Sequence, residues 1–301
     1  MQVQADTYTV SVIMPTYNRA GLIMETIDSI QSQTYQNWEL IIVDDGSEDN
    51  TGEKIAGIKD ERIQFHRAGR IGIGGKVKNI GLQKAKGELI AFMDSDDLWA
   101  PTKLEKQVVA LQQYPEAGFS LTGGYNFRVP DQPLEYFYKQ TEGVKYGNMF
   151  NSFFESQLPG FTQALMVRKE CFAVTGFFKE EKSFSDLDFI VNLALHFKAV
   201  ILYEPLLYRR LHAISYINST WKKSYQEGIE IIQFYKNKKL VTSKMADKAL
   251  FTAYINFGED CLLHKERIGA IRNFFTAWKN KPFSIIPFKK VGKAIIHYFT
   301  N

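Results

Sequence analysis

Cysteine is nearly absent from this chain of 301 residues: Cys171 and Cys261 are the only two, far apart and at no metal-ligand spacing. A disulfide framework and a cysteine-built metal site are thereby excluded, and such usage fits a reducing compartment. Long apolar runs are also missing, since nowhere do about 18 apolar residues follow one another, the length a membrane-spanning helix needs. The first eight residues are polar and lack the apolar stretch of a secretory signal. The expectation is a cytoplasmic protein, neither exported by a signal peptide nor membrane-spanning. Acidic residues, finally, stop at Glu266. Residues 222–301 hold 15 Lys+Arg against 6 Asp+Glu, a net of +9, so residues 1–221 carry −5 beneath an overall charge of only +4. The chain has two electrostatic halves.

What is present is enough apolar residue, 45% of the chain, for one large α/β domain plus an appendage. Tyr8–Met14 is β-branched and apolar, and Pro15–Arg19 follows as a loop. Leu22, Ile23, Ile27 and Ile30 recur at helical spacing. A second strand is expected over Trp38–Val43, ending in Asp44-Asp45-Gly46-Ser47. Asp49, Asn50 and Thr51 supply caps for a short helix. A third strand, Arg62–His66, leads to a basic, glycine-rich stretch and a helix over Gly75–Lys86. A fourth runs from Leu89 into Asp94-Ser95-Asp96-Asp97. This β-α-β-α-β-α-β order predicts a mostly parallel, Rossmann-like sheet flanked by helices, with ligands beyond the carboxyl ends of the strands.

Three carboxylates within four residues at a strand end repel one another unless something compensates. Two readings are open: a hard divalent cation, which takes one or two carboxylates plus phosphate oxygens, or a cap for the helix that starts near Pro101. Beyond the first and second strands, Tyr17 offers an aromatic face for a base, Asp44 an acceptor for a base N–H, and Asp94 an acceptor for ribose hydroxyls. An ordinary loop aromatic and an Asp-Gly turn are the plainer alternatives. Gly72, Gly74 and Gly75, with Arg70 and Lys76 as candidate diphosphate contacts, lack the Lys-Ser/Thr ending of a P-loop and otherwise read as a surface loop.

Val10–Arg19, Glu39–Ser47, Lys78–Leu82, Ala85–Glu88 and Phe92–Pro101 together resemble the ordered sequence blocks of family 2 glycosyltransferases. The resemblance implies a GT-A fold, a nucleotide-diphosphate sugar donor, most readily a UDP-sugar, a divalent metal (Mn²⁺ or Mg²⁺) and inversion at the anomeric carbon. It assigns Pro15, Thr16, Tyr17, Asp44, Lys78, Asp94, Ser95 and Asp96 to the nucleotide and Asp96 also to the metal, while Asp97 keeps the helix cap. Lys78 stands where the family usually has Arg, which keeps the charge and loses the bidentate fork.

In the half that follows, a helix is expected over Thr102–Gln113, strands near Gly118–Gly124, Gln163–Val167 and Val200–Tyr203, and a helix over Tyr146–Gln157. Pro159–Lys179 resembles the family's acceptor-side block, with Gly160, Phe161 and Thr162 as acceptor contacts. An inverting transfer needs a base for the acceptor hydroxyl. By the resemblance Asp186 is that base, with Ser185 in place of the usual Glu and Asp188 in reserve. Read from the residues alone, either Asp could cap its own helix. Glu204–His212 resembles the segment that closes the site, which assigns His212 to the metal or diphosphate and Arg209 or Arg210 to phosphate charge. His66, His196, His264 and His297 match no motif.

The catalytic domain is expected over 1–218, with a nucleotide-binding half to about residue 100, and a helical, basic C-terminal extension over 219–301. Its lysines interleave with Phe283, Ile285, Ile286, Phe288 and Tyr298, as in a peripheral contact with the inner face of a membrane; a solvated or self-packed tail has the same composition. Nucleic acid is not an expected partner, since no recognition motif accompanies the basic residues. The implied function is transfer of a sugar to a hydroxyl of a glycan or lipid-linked acceptor, in bacterial surface polysaccharide synthesis. The competing reading is a non-catalytic nucleotide-sugar or glycan-binding relative of the same fold. A nucleotidyltransferase would want a glycine-rich loop where Pro15-Thr16-Tyr17 stands.

Overall fold

A computed structural model of the chain describes residues 8–156, 158–181, 185–211 and 216–299, without the side chains of 185, 216–220 and 293–299. The chain divides into two compact units, one holding residues up to Phe150 and those from Leu158 through the last strand, the other holding residues 151–156 and the helices from Tyr216 onward.

In the first unit the elements follow in the order β1 (Val10–Thr16), α1 (Ile23–Gln31), β2 (Trp38–Asp44), α2 (Thr51–Ala56), β3 (Ile63–Arg67), α3 (Gly74–Lys84), β4 (Leu89–Phe92), β5 (Leu98–Trp99), α4 (Lys103–Gln113), β6 (Ala117–Phe127), β7 (Pro133–Tyr136) and β8 (Val144–Gly147). The short α5 (Phe150–Phe154) crosses the division between units, and β9 (Leu165–Arg168), α6 (Phe172–Thr175), α7 (Ser185–His196) and β10 (Lys198–Arg210) complete the first. Its sheet runs β3-β2-β1-β4-β9-β6-β10-β5, with β7 paired to β6 and β8 to β10.

Burial explains which stretches become strands. All seven residues of β2 are buried, and so are all but Pro15 in β1, as expected of parallel strands covered on both faces. The covering helices bury single stripes, Ile23, Ile27 and Ile30 on α1 for example. Gly81 lets α3 lie close on the sheet, since a Cβ there would come within 2.5 Å of Ile13 Cγ2.

The strands β3, β2, β1 and β4 are parallel, whereas β9 is antiparallel to both β4 and β6. The parallel run thus stops where the acceptor half begins, and the sheet as a whole is mixed. Three local outcomes differ from the periodicity. Pro15 and Thr16 extend β1, paired with Val43 and Asp44, instead of opening the loop. The span 146–157 begins in β8 and has only the short α5. Glu204–Arg210 is part of the thirteen-residue β10.

The second unit contains α8 (Tyr216–Asn237), α9 (Ser243–Leu263), α10 (Arg267–Asn280) and α11 (Ile286–Phe299). Phe251, Ile255, Cys261, Ala270, Phe274 and Ala277 form its core, with Trp221, Phe257 and Val291 packed against it. Among the described residues no helix is long and apolar enough to cross a membrane.

Candidate active site

Sheet register brings the functional loops to one edge. Thr16 lies beside Asp44, Ile13 lies beside Phe92, and the Met93 amide donates to the Ile13 carbonyl at 3.0 Å. The chain after β1, β2 and β4 therefore emerges together, carrying Tyr17, Asp44-Asp45 and Asp94–Asp97.

Asp44 is 3% exposed and its carboxylate accepts from the Ser47 amide at 3.1 Å and from the Ser47 hydroxyl, so it also shapes its own turn. Thr16 is buried, with a hydroxyl that has no hydrogen-bond partner among the described residues. Asp45 was not singled out by the sequence, yet it organises the glycine-rich loop: it accepts from the amide of Ile71 at 2.5 Å and of Gly72 at 3.0 Å, and pairs with Arg70. The Arg70 guanidinium in turn lies 3.9 Å from the centre of the Tyr17 ring. Gly46, at φ +78°, permits this packing, because a Cβ there would sit 2.7 Å from the Arg70 backbone nitrogen. Arg70 and Lys76, read from sequence as diphosphate contacts, are thus engaged within the protein, Lys76 with Glu180 at 3.9 Å.

In the acidic loop, Asp94 accepts from the Gln163 side chain, and Ser95 is 5% exposed. Asp96 is paired with Arg19 at 3.2 Å, while its carbonyl accepts from Arg210 Nε at 2.9 Å. Burial, reinforced by the charges of Asp96 and Asp186 and opposed by Lys78 and by the Gln163 hydrogen bond, pushes the Asp94 carboxyl up to about 6. Asp97 is not a helix cap. The strand β5 separates it from α4, and its Oδ1 accepts from the Arg210 amide at 2.8 Å while its Oδ2 has no hydrogen-bond partner among the described residues. Burial and the neighbouring Asp96 and Asp94 raise this carboxyl well above the usual range, so it binds a proton more readily than a surface carboxylate.

Carboxylates crowded together in this way are a fit for a divalent cation, which would relieve the repulsion. Among the described residues, however, no group of three or more His, Cys, Asp and Glu could hold one. Asp96 fits as a single protein ligand in a site completed by phosphate oxygens, and His212 lies outside the described residues.

On the facing side, Asp186 is held by two donors. Lys78 Nζ lies 2.7 Å and 2.8 Å from its two oxygens, and the Thr162 hydroxyl donates to Oδ2 at 2.8 Å. Lys78, 5% exposed, is directed at Asp186, where a nucleotide contact was expected; Thr162 is fully buried and supports the same carboxylate, where an acceptor contact was expected. Gly160 and Phe161 are partly exposed, and the Phe161 ring lies 4.4 Å from the Arg209 guanidinium. Asn79 bonds both backbone groups of Phe178, at 2.9 and 3.0 Å, which ties α3 to the segment before α7. Asp188 is 4% exposed and paired with Lys179 at 2.7 Å, a structural ion pair.

Residues 11–175 match the model of "Glycosyl transferase family 2", and the chain belongs to that family. Two curated relatives are similar over part of their length. A UDP-Glc:alpha-D-GlcNAc-diphosphoundecaprenol beta-1,3-glucosyltransferase, WfgD of Escherichia coli, is 44% identical over 34% of this chain and 41% of its own. TuaG of Bacillus subtilis, a putative teichuronic acid biosynthesis glycosyltransferase, is 37% identical over 46% of this chain and 55% of its own. The chain therefore spans about half the length of the curated relatives it matches. Among solved structures, S. aureus TarS 1–349 in complex with UDP-GlcNAc superposes with a TM-score of 0.70 at 18% identity, covering 90% of this chain and 81% of that one. The mannosyltransferase PcManGT from Pyrobaculum calidifontis, with GDP-Man and Mn²⁺, gives 0.60 at 19% identity, covering 98% and 81%. The fold is that of the GT-A glycosyltransferases.

Proposed function

We propose that this protein is an inverting glycosyltransferase that moves a sugar from a UDP-sugar to a hydroxyl of a glycan or lipid-linked acceptor in bacterial surface polysaccharide synthesis. The observation that carries the reading is the Asp186 carboxylate, partly exposed and oriented by Lys78 and Thr162, facing Asp94 of the acidic loop. Asp186 takes the proton of the acceptor hydroxyl as that oxygen bonds to the anomeric carbon; the bond from carbon to the diphosphate oxygen breaks and its electron pair leaves with the diphosphate. Tyr17 and Asp44 receive the base and Asp94 the ribose. Asp96, with His212, would hold a divalent metal, whose chemistry is to neutralise the diphosphate as it leaves. WfgD, through its acceptor, supports the lipid-linked class, and the UDP-GlcNAc complex of TarS supports UDP. The test is turnover of a panel of UDP-sugars with Mn²⁺ by the wild type and Asp96→Asn. The reading predicts metal-dependent release of UDP that Asp96→Asn largely removes. A wild type that neither binds UDP with Mn²⁺ nor turns over any donor is a non-catalytic relative.

A membrane contact belongs to the same proposal. Phe283 is 100% exposed and Ile285 63%, with Ile286 and Phe288 also exposed, among Lys279, Lys281 and Lys289. Apolar tips amid lysines suit the interface of an anionic bilayer. Phe283→Ser with Ile285→Ser should release the protein from phosphatidylglycerol vesicles in a sedimentation assay, and unchanged sedimentation would remove the contact.

A further inference from the structure

Among the described residues of the cleft, Lys78 is a buried cation whose ammonium reaches a candidate reacting group. It sits on α3 at 6% side-chain exposure, 2.7 and 2.8 Å from the two oxygens of Asp186, which is itself 40% exposed. The Thr162 hydroxyl, 3.2 Å from Nζ, closes a triangle by donating to Asp186 Oδ2. The Phe178 ring lies 5.2 Å from the ammonium, and Asn79, the next residue on α3, fixes the Phe178 backbone in turn. The charge of Lys78 also acts on Asp94, at the end of β4.

A lysine that merely met a diphosphate would point at open cleft, with its ammonium free for an incoming anion. Here both carboxylate oxygens already take it, and Thr162 takes a further hydrogen-bonding direction, so little donor capacity is left for a phosphate. A flexible carboxylate at the start of α7, by contrast, gains from two fixed donors, because a base works only where its free lone pair meets the attacking hydroxyl. Thr162 comes from the acceptor-side block and Lys78 from the donor half, so the pair ties the two halves of the site at the one carboxylate.

We infer that Lys78, with Thr162, is a positioning residue for Asp186: it fixes the carboxylate and does not bind the donor. This rests on the reading of Asp186 as the base. In UDP-GlcNAc and UDP-glucose hydrolysis with Mn²⁺, Lys78→Gln should lower kcat by about 10- to 100-fold, the scale on which partners behind a functional group act. KM and the calorimetric Kd for UDP should stay within about twofold, and Lys78→Arg should restore part of kcat. Thr162→Val should give a smaller loss of the same kind, and it carries the comparison if Lys78→Gln does not fold. In crystals of Lys78→Gln the Asp186 side chain should leave its wild-type rotamer, and in Lys78→Arg it should keep it. An unchanged kcat, a loss of UDP affinity parallel to the loss of rate, or an Asp186 undisturbed in Lys78→Gln each overturns the inference. Wild type inert toward every UDP-sugar would instead sink the transferase reading, while the crystal comparison still decides the positioning.

Discussion

Asp186→Asn is expected to lower the rate of sugar transfer by about 10³-fold, within the range a general base contributes, and to leave UDP affinity almost unchanged. The amide keeps one oxygen, which at the Oδ2 position accepts from Lys78 and Thr162, while the Lys78 contact at Oδ1 is lost to the NH2 group. What it loses is the lone pair able to take the acceptor proton. Steady-state kinetics with calorimetry on the same preparation check both parts. A variant that retains more than a tenth of wild-type turnover would move the base elsewhere. Asp188 is a poor second choice, since its carboxylate is 4% exposed and paired with Lys179.

Asp186 came from the resemblance, because an Asp opening an apolar helix also reads as its cap; the structure sets its carboxylate against Lys78 and Thr162. The strands β1, β2 and β4 were legible from apolar runs that end in Pro15-Thr16-Tyr17-Asn18, Asp44-Asp45-Gly46 and Asp94–Asp97. What escaped was set by partners far along the chain. Asp45 read as half of an Asp-Gly turn, and only the fold shows it gathering the backbone of residues 71 and 72, 26 and 27 positions away. Asp97 read as a helix cap because its true partner, the Arg210 amide, is 113 residues on. The strand β5 is two residues long and exists through pairing with β10, which no periodicity can announce. Thr162 looked like an exposed acceptor contact beside a Pro-Gly turn, and tertiary packing buries it. Lys78 was expected to meet the nucleotide and its ammonium lies against Asp186, because charge alone does not say which anion a lysine meets.

These long-range pairs also explain how a site so rich in carboxylates coheres. Asp45 is matched by Arg70, Asp96 by Arg19, and Asp186 by Lys78, each cation coming from a different loop or helix. At Asp94 and Asp97 burial and neighbouring carboxylates push the carboxyl upward, against the partial opposition of Lys78 at Asp94 and of the Arg210 amide and Arg209 at Asp97.

For Asp94 that arrangement predicts a pH-dependent cost. Its carboxyl is pushed up to about 6 in the folded protein, against about 3.9 for an unfolded Asp. Between those values the native state holds a proton the unfolded chain has released, so stability falls as pH rises from about 4 to about 6 and stays lower above. Two pKa units at 1.36 kcal/mol each bound the effect at about 3 kcal/mol. Asp94→Asn removes the ionisation. Without nucleotide or added metal, the variant should therefore melt several degrees above wild type at pH 8, and the gap should close near pH 4. Calorimetric melts at the two pH values check this; a gap of equal size at both would mean that Asp94 does not titrate as described. The same substitution should weaken UDP binding by about 10- to 100-fold, because a ribose hydroxyl loses a charged acceptor. A carboxylate held at the expense of stability and needed for the ligand is what a binding role requires, since a purely structural Asp would lose stability when replaced, not gain it.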